Sequence, residues 1–162
     1  AYIASHGNIS LPSSMKERAP AFLLIGAQKS GTMALRTYLA QHPLIEVPND
    51  VGETHYFDKH YVKQNATTPE EHLETYVTKY YDRDCRKNES FCISGESTPI
   101  YLYDTEHVPA RVKQVCPWTK FIVILRDPVK RAVSHCNMLI ERNEIEDTFE
   151  MRLERDFKWM MA

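Results

Sequence analysis

Unbroken apolar runs alternate along this chain with stretches whose apolar residues recur at helical spacing. Phe22 to Ile25 is a short continuous apolar run, the pattern of a strand buried on both faces, and it stops at Gly26. Thr32 to Gln41 follows with Leu35, Tyr38 and Leu39 spaced as on a helix, and His42-Pro43 ends it because the residue before a proline is pushed out of the helical region. Ile45 to Val47 predicts a brief second strand. Thr68-Pro-Glu-Glu71 reads as a capping box opening a helix that carries Leu73, Tyr76, Val77 and Tyr80 on one face. Phe91 to Gly95 predicts a third strand, ending in the polar stretch Glu96-Ser-Thr-Pro99. Glu106 to Cys116 reads as a helix through Val108, Val112 and Val115, and Lys120 to Leu125 is the clearest strand pattern in the chain. Asp127 can cap and Pro128 can open the next helix, and a last helix spans Thr148 to Trp159, with Asp147 and Glu150 placed as a second capping box.

Strand, loop and helix repeated in this way predict an α/β fold of three layers, with a central parallel sheet covered by helices on both faces and joined by right-handed crossovers. The polar stretches after the strands at Gly26, Glu96 and Arg126 would then emerge on one edge of the sheet, where open α/β sheets bind ligands. Residues 1–20 are polar, contain Pro12 and Pro20 and lack a sustained period, so they predict an N-terminal arm; residues 21–162 form one domain.

The sharpest local chemistry is the loop Gly26-Ala-Gln-Lys-Ser-Gly-Thr32. Its glycines allow a tight turn, its helix N-terminus offers free N–H groups to an anion, and Lys29 adds a full positive charge. A nucleoside-triphosphatase loop has its lysine after the second glycine, next to a hydroxyl that holds magnesium. Here Lys29 precedes Gly31 by two residues, so the loop is P-loop-like, suits phosphate-like groups and demands no metal; the alternative is an ordinary strand-turn-helix with a surface lysine. A second cluster, Glu53, His55 and Asp58, sits among aromatic residues. A carboxylate walled by Tyr56 and Phe57 would be partly desolvated, which suits it to general-base work; the alternative is an amphipathic segment whose aromatics pack and whose charges are solvated.

Composition narrows the classes. A formal charge of −2 gives no global field that would recruit nucleic acid. No stretch reaches the length of about 18 apolar residues that a membrane span needs. Sequons at Asn8, Asn65 and Asn88, and the pair Cys85 and Cys92 in a polar stretch, favour the secretory pathway; the two cysteines can close a small disulfide loop or remain reduced. Cys116 and Cys136 lie among apolar residues and read as buried thiols, and no spacing resembles a zinc site.

Four stretches in one order, GAQKSGT, ETHYFD, GESTP and FIVILRDPVKRAVS, resemble the sulfotransferase domain of the Golgi carbohydrate enzymes, particularly the heparan sulfate type. The resemblance implies 3′-phosphoadenosine 5′-phosphosulfate as co-substrate and no metal. Gln28, Lys29, Ser30, Gly31 and Thr32 would cradle its phosphosulfate, and Arg126 and Ser134 would hold its 3′-phosphate. Glu53 would be the catalytic base, assisted by Lys29 at the leaving phosphate and by His55, with Asp58 either supporting the pair from behind or turned toward the acceptor, and Glu96 and Thr98 toward the acceptor. That acceptor would be a hydroxyl or amine of a carbohydrate, glycosaminoglycan-like in this subgroup, in the Golgi lumen or secretory pathway, with a membrane anchor upstream of residue 1. The sequence departs from the pattern at Met33, where the usual loop has a second threonine, and at Ser97, where the heparan type has lysine. The family domain also usually runs further, so the domain is expected to be incomplete at its C-terminal end. The alternatives are a non-catalytic nucleotide-binding module or an inactive fragment of such an enzyme; the position of Lys29 disfavours a metal-dependent nucleotide kinase.

Overall fold

The computed structural model describes residues 18–48, 52–81 and 92–160. Most of the expected arm, the sequons at Asn8 and Asn88, and Cys85 lie outside the described residues. One parallel sheet is formed by β1 (Phe22–Gly26), β2 (Ile45–Glu46), β3 (Ile93–Ser97) and β4 (Lys120–Val123), in the order β2, β3, β1, β4. The described α-helices are α1 (Thr32–Ala40), α2 (Pro69–Tyr80), α3 (Val108–Val115), α4 (Pro128–Glu141) and α5 (Phe149–Met160). From β1 the chain runs to β2 and back to β3 on one side, then crosses to β4 on the other. The carboxyl end of β1 is therefore the switch point where such sheets open a ligand crevice.

Alternation along β1 serves two faces. Leu23 is fully buried in a core with Leu73, Tyr76 and Val77 of α2 and Val108, Val112 and Val115 of α3, with Ile25 packed against it. Phe22 and Leu24, buried on the opposite face, complete a strand with no solvent side, and α1 packs against β1, β2 and β3. This is the expected α/β arrangement of a parallel sheet covered by helices.

The core is unusually aromatic. Residues Tyr56–His60 form one π-helical turn that drives Tyr56 and Phe57 fully into the interior, where Tyr56 stacks on Tyr76 with ring centroids 4.6 Å apart. The parallel register sets Phe22 beside Gly95. A Cβ at Gly95 would come within 2.1 Å of the Phe22 ring, so glycine is required there by close approach.

The helix signals in the sequence were mostly local and physical. Thr68 accepts from the Glu71 N–H while the Glu71 carboxylate accepts from the Thr68 N–H, closing the capping box at the start of α2. Asp127 accepts from the Lys130 N–H at 2.9 Å, with Pro128 opening α4. Two expectations need correction. The second capping box does not form: Asp147 pairs with Arg155 at 2.5 Å, and the Thr148 hydroxyl accepts from the Met151 N–H instead. The third strand lies two residues later than predicted, at Ile93–Ser97, so Glu96 belongs to the sheet and not to the loop after it.

Candidate active site

Past Gly26 the chain is still tied to its neighbour strand: the Ile124 N–H donates to Gly26 at 2.7 Å and the Ala27 N–H to Ile124 at 2.9 Å. The loop then closes by a 3.1 Å bond from the Ser30 N–H to the Ala27 carbonyl. Lys29, at φ 68°, and Gly31, at φ 99°, both take left-handed backbone. A Cβ at Gly31 would meet nothing within 4 Å, so this side of the loop is open. No side chain caps α1, which leaves its first N–H groups to whatever occupies the opening. The Ser30 Oγ is buried without a hydrogen-bond partner. An oxyanion at the loop would satisfy both deficits.

A cleft of about 600 Å³ opens here. Of the residues singled out in the sequence, Gln28, Lys29, Gly31, Thr32, Glu53, Arg126 and Ser134 all line it, although they come from three separate stretches of chain. Arg126 donates to the Lys29 carbonyl at 3.0 Å, which holds the segment after β4 against the loop after β1. Arg36, Met138, Glu141 and Arg142 also line the cleft and were missed in the sequence. Three of them follow Ser134 at four, seven and eight residues along α4 and its C-cap Arg142, a helical spacing that could have revealed them. Four cationic side chains, Lys29, Arg36, Arg126 and Arg142, thus face two acidic ones, Glu53 and Glu141. Locally the balance favours an anionic ligand even though the whole chain does not.

Glu53 stands at the cleft with its side chain about one-third exposed. Behind it the His55 ring is held between two carboxylates, its Nε2 3.2 Å from Glu53 Oε2 and its Nδ1 2.8 Å from Asp58 Oδ2. The π-helical turn makes this possible, and Arg111 fixes the turn by donating to the Phe57 carbonyl at 2.6 Å. Asp58 itself is nearly buried and turned toward His55, so the structure does not bring it to the cleft as an acceptor contact. Tyr56 and Phe57 lie in the core.

Glu96 and Thr98 do not reach the cleft either. Both are fully buried. Glu96 pairs in register with Leu23, so its carboxylate points into the tyrosine-rich core. There it accepts from the hydroxyls of Thr54, Tyr76 (2.7 Å) and Thr98 (3.3 Å). Burial pushes its carboxyl above the usual range, against these hydroxyl bonds, which act to lower it. Ser97, on the alternate side of the strand, reaches the cleft. Among the described residues no group of three or more His, Cys, Asp or Glu is placed to hold a metal ion.

The fold thus sets an open loop at the switch point of an α/β sheet, with a carboxylate across the crevice. The chain belongs to the Sulfotransferase family, whose sequence profile matches residues 20–161. It is 31% identical over 134 residues to human heparan sulfate glucosamine 3-O-sulfotransferase 3B1, an alignment covering 83% of this chain and 30% of that protein. It is 30% identical over 139 residues to the bifunctional heparan sulfate N-deacetylase/N-sulfotransferase 1 of Caenorhabditis briggsae, covering 81% of this chain and 14% of that one. The crystal structure of a sulfotransferase from Alicyclobacillus acidocaldarius superposes with a TM-score of 0.64 at 28% identity, over 88% of this chain and 58% of that chain. The chain thus spans about a third or less of the length of these two curated relatives.

Proposed function

We propose that this domain transfers a sulfuryl group from 3′-phosphoadenosine 5′-phosphosulfate to a hydroxyl or amine of a glycosaminoglycan-like carbohydrate. The observation that carries the reading is the presence of Lys29, Glu53, Arg126 and Ser134 on one cleft, with an anion-ready loop at its end. Gln28 to Thr32 hold the phosphosulfate, and Arg126 and Ser134 hold the 3′-phosphate, where a guanidinium supplies a fixed fork of donors. Glu53 accepts the proton of the acceptor hydroxyl as its oxygen bonds to sulfur and the bond from sulfur to the bridging phosphate oxygen breaks. Lys29 neutralises the charge that collects on that oxygen, and 3′-phosphoadenosine 5′-phosphate leaves. The protein's part is positioning and charge stabilisation, as in phosphoryl transfer. His55, held by Asp58, orients the Glu53 carboxylate.

The names of the relatives support heparan-like acceptors, and a secretory or Golgi setting agrees with Cys92 being disulfide-bonded. A non-catalytic nucleotide-binding module is the rival reading, favoured by Ser97 standing at the cleft where the heparan type has lysine. Incubating the full-length protein with sulfur-labelled donor and a heparan acceptor separates the two. Label on the glycan supports the transferase; binding of 3′-phosphoadenosine 5′-phosphate without transfer supports the module.

A further inference from the structure

Thr54, next to the cleft carboxylate, is fixed through all of its polar groups. Its N–H donates to the Thr98 hydroxyl at 3.2 Å, its carbonyl accepts from the Tyr80 hydroxyl at 3.1 Å, and its own hydroxyl donates to Glu96. The Tyr101 hydroxyl lies 3.2 Å from Thr54 Oγ1 and accepts from the Phe57 N–H at 3.1 Å. A line of donors therefore runs from Phe57 through Tyr101 and Thr54 and ends on Glu96 Oε2. A second runs from Tyr81 through Tyr76, whose hydroxyls are 3.4 Å apart, and ends on Glu96 Oε1. Among the described residues the partners of this buried carboxylate are hydroxyls. Two chains of donors that converge need an acceptor at both oxygens, which a carboxylate provides and an amide does not.

We propose that Glu96 is a positioning residue for the reaction: from the core, through Thr54, it sets the main chain that carries Glu53 and His55. This rests on the reading of Glu53 as the base. Glu53 precedes Thr54 directly, and the whole run from Thr54 to Phe57 hangs on the same hydroxyl network, so a shift of that network moves Glu53 relative to Lys29. Burying a carboxylate here is unfavourable in itself. It is retained because no other side chain of this size accepts both chains.

The test uses the full-length protein and five variants: Glu53→Gln, Thr54→Val, Thr54→Ser, Glu96→Gln and Glu96→Asp. Each is measured for kcat, for donor KM and for 3′-phosphoadenosine 5′-phosphate affinity. Thr54→Val and Glu96→Gln are expected to lower kcat about 10- to 100-fold, the scale of a misplacement near 1 Å. Donor KM and product affinity stay within about twofold, since the loop that binds the donor is untouched. Thr54→Ser, which keeps the hydroxyl, is expected to restore most of kcat. If Thr54→Val and Glu96→Gln keep wild-type kcat while Glu53→Gln loses it, the inference is overturned and the base assignment stands. If Glu53→Gln itself is fully active, the base assignment fails and this inference with it. Equal loss of kcat and product affinity, with no recovery in Thr54→Ser, would mean a merely structural role and would also overturn it. Glu96→Asp serves where Glu96→Gln does not fold: its shorter carboxylate keeps acceptor chemistry but not reach, and an intermediate kcat is expected, whereas a wild-type value counts against the proposal.

Discussion

The Arg126 guanidinium donates to the backbone carbonyl of Lys29 at 3.0 Å, so the residue proposed for one end of the donor directly braces the loop proposed for the other. Replacing Arg126 by alanine should remove both a charge-assisted contact and the brace. Affinity for 3′-phosphoadenosine 5′-phosphate is expected to fall about 10- to 100-fold, the range of one or two such bonds. Arg126→Lys should recover only part of it, because an ammonium cannot make both contacts from one fork. Titration calorimetry on the three proteins reads this directly.

A stability prediction follows from Phe22 and Gly95. Gly95→Ala forces a methyl group into the Phe22 ring and should destabilise the domain by about 1–3 kcal/mol, the usual cost of overpacking. Combining it with Phe22→Leu should return part of that loss. Thermal unfolding of the single and double variants is the measurement, and simple additivity of the two losses would contradict the contact.

His72 supplies a pH dependence. Its ring stacks on Tyr61 with centroids 3.9 Å apart, and its Nδ1 is 3.2 Å from the Tyr56 hydroxyl. Burial first of all holds its pKa below the ordinary imidazole value; nearby Glu71 opposes this and Arg111 adds to it. A lowered folded-state pKa means that the unfolded chain takes up the proton more readily. Its contribution is therefore complete above the unfolded value of about 6.5 and is lost as pH falls through the lower folded value. Denaturant midpoints of the wild type should drop across that window, and those of His72→Gln should drop less.

Asn65 is exposed in the loop ahead of α2, with Thr67 completing its sequon. If the protein passes through the secretory pathway, expression there should add a glycan at this position. Digestion with an N-glycosidase should shift the wild type by one glycan more than Asn65→Gln; equal shifts would contradict occupancy.

What could be read in the sequence was what is encoded locally. The loop from Gly26 to Thr32, the Thr68 capping box and the Asp127 start of α4 are each written in adjacent residues, and each forms where expected. Glu96 was expected in the loop after a strand that ends at Gly95, because nothing local in the sequence marks where β3 stops. Once β3 runs to Ser97, Glu96 turns inward beside Leu23 and its neighbour Ser97 takes the cleft. For Asp58 the sequence left two places open, behind His55 or toward the acceptor. The π-helical turn has no sequence signature, and it rotates Asp58 behind His55 while sending Tyr56 and Phe57 inward. Arg36 reaches the cleft only through tertiary packing, whereas Arg142 follows the helical face of Ser134.

The central claim is that Glu53 takes the acceptor proton beside a donor held by the Lys29 loop. Its most direct measurement is sulfuryl transfer by full-length Glu53→Gln, with 3′-phosphoadenosine 5′-phosphate binding measured on the same sample. The account predicts transfer reduced by about 100-fold or more, the scale of losing a general base, with product affinity unchanged. Wild-type transfer by Glu53→Gln would contradict it.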